Sequence, residues 1–287
     1  MGGIAIVTDS AANLPEQLRR RYDITVVPLW LRMAGRMLRD EVEISAETFY
    51  AQMRRGEGRP STSQPSVGEF LEVYRALAER ARGIFSIHLP ARLSGTISSA
   101  KAAASHLTTM PIRILDSGSA SMGQGFAVLE AARLAAQGLD LNELAGTVER
   151  LLPRIHVLAL LDTLEYLVRG GRFKMVANFI RPALETRVLI SLRAGQLRLL
   201  GLARRRAKGV AALLEEMAAR VGEAPVHVAV LHADARERAE RLRRDILARF
   251  ACVEAYITGL TPVLGAHGGP GVLGVAFYTE ATPLQPA

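Results

Sequence analysis

Apolar residues along the first half of the chain come in short runs separated by longer periodic stretches. Ile4-Ala5-Ile6-Val7, Ile24-Thr25-Val26-Val27, Gly83-Ile84-Phe85-Ser86-Ile87-His88 and Ile112-Arg113-Ile114-Leu115 are each too short for a helix and read as strands. Between them, Phe70, Val73, Tyr74 and Leu77 recur at i, i+3, i+4 and i+7, the spacing of one helix face. Ser66 followed by Glu69 opens that helix as a capping box, and Asp140 with Glu143 opens another that runs to about Leu152. Strands alternating with helices imply βαβ units, and so a mostly parallel sheet with helices on both faces.

The rhythm changes after Pro153, which marks the expected boundary between an N-terminal domain, 1–153, and a C-terminal domain, 154–287. A strand over 155–161 is followed by Gly170-Gly171 and irregular text. Val188 to Leu192 and Gln196 to Leu200 flank Arg193-Ala194-Gly195 and read as a hairpin. Helices over about 207–220 and 235–249 alternate with strands over 226–231, 253–257 and 272–278. A hairpin followed by helices suggests an α+β second domain. The expected class is therefore α/β, a parallel-sheet α/β/α domain followed by an α+β domain, with a frayed tail over 282–287.

Composition narrows the function classes. The chain has 287 residues, 49% hydrophobic and 22% charged, enough for a sizeable core without disulfide or metal staples. No apolar run reaches membrane-spanning length, Asp9 interrupts any signal-peptide core, and Cys252 is the sole cysteine, so a cytoplasmic location is expected. The formal net charge is +8, yet only three of the 36 basic residues are lysine, and the arginines are scattered over helical text such as 236–244. With aromatics at 5% and no nucleic-acid motif, solvated helix faces explain that charge better than a nucleic-acid groove.

Small polar residues collect just after the first-half strands: Thr8-Asp9-Ser10, Ser94-Gly95-Thr96 and Asp116-Ser117-Gly118-Ser119. Open α/β sheets bind ligands at that edge. The Ala-rich helix starting near Thr96 offers unpaired N–H groups there, so Ser94, Gly95 and Thr96 form a candidate anion seat, with Ser94 equally readable as a plain helix cap. Pro60 to Ser66 reads as a hydroxyl-rich loop. Gly265-Ala266-His267-Gly268-Gly269-Pro270-Gly271 reads as a loop holding an imidazole at its tip. His88, His106, His156, His227 and His232 stand in no such setting. There is no P-loop, dinucleotide fingerprint, nucleophile elbow or zinc-protease motif. Hydroxyls, one imidazole and arginines suit binding a carboxylate or phosphate; no catalytic residue and no metal or other cofactor is expected.

Six blocks in order make the chain resemble the DegV family of bacterial fatty-acid-binding proteins, the acyl-carrying subunits of fatty-acid kinase. They are IAIVTDSAANLP at the start, STSQPSVGEF at 61–70, SIHLPARLSGTISSA at 86–100, ILDSGSASMGQG at 114–125, LEYLVRGGRF at 164–173 and GAHGGPGVLG at 265–274. The resemblance implies a two-domain α/β protein holding one long-chain fatty acid in a tunnel, with the second domain closing it. It implies a carboxylate held by Thr62 and Ser94, with His267 beside it; the helix start would add a backbone N–H at Gly95 or Thr96. It places Arg172, and Arg204 within the run Arg204-Arg205-Arg206, on the head-group side or where an ATP-dependent fatty-acid kinase docks. Met122, Phe126, Leu164 and Ile180 are candidates for the tunnel lining. Membrane contact would be at most transient, and no nucleic-acid partner is expected. Two competing readings are a stand-alone hydrolase or phosphotransferase in which Asp9, Ser94 and His267 converge, and a nucleic-acid or other anion-binding regulator using Arg204, Arg205 and Arg206.

Overall fold

A computed structural model describes residues 2–171 and 186–280. In chain order the first elements are β1 (Ile4–Asp9), α1 (Glu16–Arg21), β2 (Thr25–Val27), β3 (Trp30–Met33), β4 (Arg36–Arg39), α2 (Ala46–Arg54), β5 (Ser61–Ser63) and α3 (Val67–Ala78). Next come β6 (Gly83–His88), α4 (Thr96–Ala104), β7 (Ile112–Asp116), α5 (Met122–Ala136), α6 (Leu141–Leu151), β8 (His156–Leu161) and α7 (Glu165–Arg169). The rest are β9 (Arg187–Arg193), β10 (Gln196–Ala203), α8 (Arg206–Val221), β11 (Val226–His232), α9 (Arg236–Arg249), β12 (Cys252–Gly259), α10 (Pro262–Gly268) and β13 (Leu273–Thr279). Arg172, Ile180 and the tail over 282–287 lie outside the described residues.

Four parallel strands form one sheet in the order β2-β1-β6-β7. Every residue of β6 is buried, as expected for a parallel strand covered on both faces. The chain leaves β1 toward one edge and β6 toward the other, so the β1 and β6 carboxyl ends flank the switch point where such sheets bind ligands. Both expected capping boxes are present, Ser66 with Glu69 on α3 and Asp140 with Glu143 on α6.

The second sheet has the order β10-β9-β8-β13-β11-β12, antiparallel except for β11 with β12. Its β9–β10 hairpin turns at Ala194 and Gly195, both with positive φ, the two-residue turn that matches strand twist. The period of two divides β8 between two cores. Leu158 and Leu160 face the cluster under α8 and α9; Val157 and Leu161 face the cluster shared with the first half. Helix α5 is apolar nearly all round because it lies between the sheets, touching β1 and β6 as well as β13.

A third sheet, β4-β3-β5, departs from the sequence reading. The hydroxyl-rich stretch around Thr62 is not simply a loop: Ser61–Ser63 pairs antiparallel with β3, placing Thr62 opposite Leu31. The glycine-rich block near the C-terminus is also not a plain loop. Thr261 caps α10 through its side chain, Pro262 occupies the first turn, and His267 stands in the last turn.

Candidate functional site

A cavity of about 170 Å³ opens between the switch point and the second sheet. That is roughly ten times the space one water molecule needs. Its walls are mostly apolar: Ala11, Leu89 and Leu93 follow β1 and β6, while Val157, Ala159 and Leu161 project from one face of β8. Ile190 and Leu192 continue that face on β9, and Leu260, Val263 and Leu264 come from α10 and the turn before it. Met122, Phe126 and Leu164 do not line it; Met122 and Phe126 are spent in the core around α5.

The polar lining is sparse, namely Thr62, Ser63, Gln64, Ser94, Ser121 and His267. Thr62 Oγ1 lies 2.8 Å from His267 Nε2, which joins the β5 edge strand to the end of α10. Ser94 lies on the loop before α4 and is hydrogen-bonded through its hydroxyl to Thr96 Oγ1 at 2.8 Å. The structure therefore brings Thr62, Ser94 and His267 to one cavity. Because His267 belongs to the second half, this polar cluster draws on both halves of the chain.

Gly95 and Thr96 are placed behind this wall. Gly95 is the α4 cap, and a Cβ there would meet Gln64 Oε1 at 2.0 Å, so the Gln64 side chain lies across it. Gln64 Nε2 also donates to Ser99 Oγ at 2.9 Å. Thr96 is fully buried and its N–H donates to Ser94 Oγ at 3.3 Å. Gln64 is a lining residue that sequence reasoning missed; its place in the STSQPS block was the available signal.

Asp9 is not brought to His267. Its carboxylate is fully buried, accepts from the N–H groups of Ala11 and Leu89 at 3.0 and 3.1 Å, and meets His88 Nδ1 at 2.9 Å. His88 Nε2 in turn lies 2.7 Å from Ser86 Oγ, which accepts from the Tyr74 hydroxyl at 2.8 Å. A convergent Asp9, Ser94 and His267 trio is therefore absent from the described structure. His88, set aside on sequence, is the centre of a buried polar network that fixes two cavity-lining loops.

The loop after β7 is held to itself and to the loop after β6: Asp116 accepts from the N–H groups of Gly118 and Ala91 at 2.8 and 3.0 Å. Arg204 is exposed just after β10 and is not part of the cavity lining. Its carbonyl accepts from Arg187 at 3.0 Å, beside a cluster in which Asp162 pairs with Arg187 and Arg206.

Two glycines set how closely the α10 end is packed. A Cβ on Gly170, just after α7, would lie 2.3 Å from His267 Nδ1, and one on Gly269 would meet the Tyr166 ring at 2.2 Å. Gly269 also takes a positive φ of 77°, which ends α10. Blocks distant in sequence, 164–171 and 265–271, are therefore one packing unit around the imidazole.

Residues 3–280 match the family described as "Uncharacterised protein, DegV family". A DegV domain-containing protein of Streptomyces coelicolor is 38% identical over 279 residues, covering 96% of this chain and 99% of that protein. Among solved structures, a DegV family protein of Thermus thermophilus described as fatty-acid-binding aligns with a TM-score of 0.91 at 32% identity, covering 97% of this chain and 100% of that one. DegV of Bacillus subtilis, described as a fatty-acid-binding protein, aligns with a TM-score of 0.90 at 29% identity, covering 98% and 100%.

Proposed function

This chain belongs to the DegV family, and on that premise we propose that it binds a long-chain fatty acid, with the tail in the apolar cavity and the carboxylate at Thr62, Ser94 and His267. The observation that carries the reading is the Thr62–His267 contact set within walls that are otherwise almost wholly apolar. Each methylene removed from water contributes about 0.8 kcal/mol. A carboxylate cannot follow the tail into such walls unpaired. Two hydroxyls and an imidazole supply the donors that its oxygens require.

The finer part of the proposal is a carrier role in the cytoplasm. Residues 1–153 and 154–287 act as two domains that enclose the lipid between them, and the head group is presented to an ATP-dependent kinase. There a carboxylate oxygen attacks the γ-phosphorus of ATP, an acyl phosphate forms and ADP leaves. The phosphate-handling groups belong to that partner, in keeping with a sequence that carries no P-loop. Arg172 and Arg204 are assigned to the docking side, since guanidinium groups suit phosphate and carboxylate partners.

Native mass spectrometry of the protein purified under mild conditions from a bacterial host tests the binding step. The expected result is an adduct with the mass of a long-chain fatty acid. A chain that emerges free of lipid and takes up none on incubation overturns the reading.

A further inference from the structure

Among the described residues, Ser121 is the cavity-lining position that combines backbone strain with an unused polar group. It lies just ahead of α5 with φ 53° and ψ −148°, a region that glycine occupies freely and other residues rarely enter. The strain has a visible source. The Ser121 N–H donates to the Ala11 carbonyl at 2.7 Å, tying the helix start to the loop after β1. Gly125 in the next turn approaches the Ala12 carbonyl so closely that a Cβ would meet it at 2.7 Å, and Gly123 is held as tightly against Ser119 and Val157.

The side chain does not relieve that cost. Ser121 is only 5% exposed, and among the described residues its hydroxyl has no hydrogen-bond partner. It does not cap α5, which begins without any side-chain cap. Glycine would fit this backbone better and would leave no buried hydroxyl unsatisfied. A serine that strains the chain and bonds to nothing within the fold is explained if its partner arrives with the ligand.

The geometry points to Ser121 as a second polar subsite of the lipid cavity, one that takes a hydroxyl carried partway along the acyl chain. The inference rests on the fatty-acid reading above and deepens it: the preferred ligand class is a hydroxylated long-chain fatty acid. An alcohol on the chain would otherwise be buried among leucine and valine side chains without a partner. The Ser121 hydroxyl can both donate to and accept from it, while Thr62, Ser94 and His267 retain the carboxylate.

Titration calorimetry on the delipidated full-length chain tests this with stearate and a positional series of monohydroxystearates, using wild type, Ser121→Ala and Ser121→Gly. One positional isomer is expected to bind wild type about tenfold more tightly than the other isomers, the size of one well-placed buried hydrogen bond. That advantage should vanish in both variants, and Ser121→Gly should also unfold at a higher temperature than wild type. Isomers that all bind alike, or a preference that survives in Ser121→Ala, overturn the subsite while leaving the fatty-acid reading in place. Failure of wild type to bind stearate or any isomer overturns the fatty-acid reading itself, and the subsite falls with it. Ser121→Ala keeps the test open should the glycine variant fold poorly.

Discussion

Thr62 and His267 are separated by 205 positions in the chain, yet Thr62 Oγ1 and His267 Nε2 meet at 2.8 Å. One stands on a short edge strand, the other on the last turn of α10, so the contact exists only when the β4-β3-β5 sheet and α10 are docked. On the proposed fatty-acid reading, removing either partner would leave the carboxylate one donor short. Thr62→Ala and His267→Ala should each weaken fatty-acid binding by about 1–3 kcal/mol. Titration calorimetry with one saturated fatty acid reads this directly, and melting temperatures close to wild type would place the loss at the site rather than in folding.

Gly170→Ala should imitate the loss of His267 without touching it. The added Cβ would lie 2.3 Å from His267 Nδ1, too close for any real contact, so the imidazole or the end of α7 must shift, which disturbs the Thr62 contact made through Nε2. Gly95→Ala makes a useful contrast. There the clash, at 2.0 Å, is with the far end of the flexible Gln64 side chain, which can swing aside. Binding is expected to fall about tenfold in Gly170→Ala and clearly less in Gly95→Ala, measured by the same calorimetry. Equal losses in the two variants would contradict the packing role given to Gly170.

The parts legible in sequence were those whose cause is local. Gly83 to His88 reads as a buried strand because a parallel strand covered on both faces is apolar throughout. The Ser66–Glu69 and Asp140–Glu143 boxes declare helix starts within four residues. Thr62 was harder. Three consecutive hydroxyl residues carry no strand signal, and Ser61–Ser63 is extended only because Trp30 to Arg32 lies alongside. His267 sits among glycines that ordinarily deny helix; Thr261 and Pro262 start the helix, and Gly265 is required where a side chain would strike Tyr50. The Asp9–His88 pair spans 79 positions, and nothing local ties the two. Contacts of that kind come from topology, which strand periodicity suggests but does not number.

Asp40 should make stability fall as pH rises toward neutrality. Its carboxyl is 1% exposed and accepts from the Val263 N–H, in the first turn of α10, at 3.1 Å. Burial raises its pKa to about 7, with Ser10 and Thr261 hydroxyls opposing the shift. Between the ordinary carboxylate range and about 7 the folded chain holds a proton that the unfolded chain has lost. The stability that Asp40 contributes is therefore full below about pH 4, declines through neutrality and is lost above about 7. The span is on the order of 4 kcal/mol. Urea denaturation of wild type and Asp40→Asn across this range should show the slope in wild type and a flatter profile in the variant. A variant with the same slope would remove Asp40 as its cause.

Glu254 acts at the opposite end of the pH scale, where it joins the two halves of the chain. Arg133 on α5 donates to it at 3.1 Å through Nη1, and His227 Nδ1 and the Tyr256 hydroxyl reach it at 2.7 and 2.6 Å. Although its partial burial works against the charge, these partners outweigh it and hold the carboxyl down at about 2. The folded chain thus keeps Glu254 ionised where the unfolded chain would protonate it. The stability this contributes is present above about pH 4.5 and lost as pH falls through about 2. Hydrogen bonds to a charged group of this kind contribute about 1.5–3 kcal/mol. Glu254→Gln should accordingly lower stability at neutral pH by about that amount, and its deficit relative to wild type should shrink steadily on acidification. Denaturant unfolding near neutral pH and in acid, for both proteins, measures that convergence; a deficit independent of pH would mean that packing at the α5–β12 contact, rather than the charge, is what the glutamate supplies.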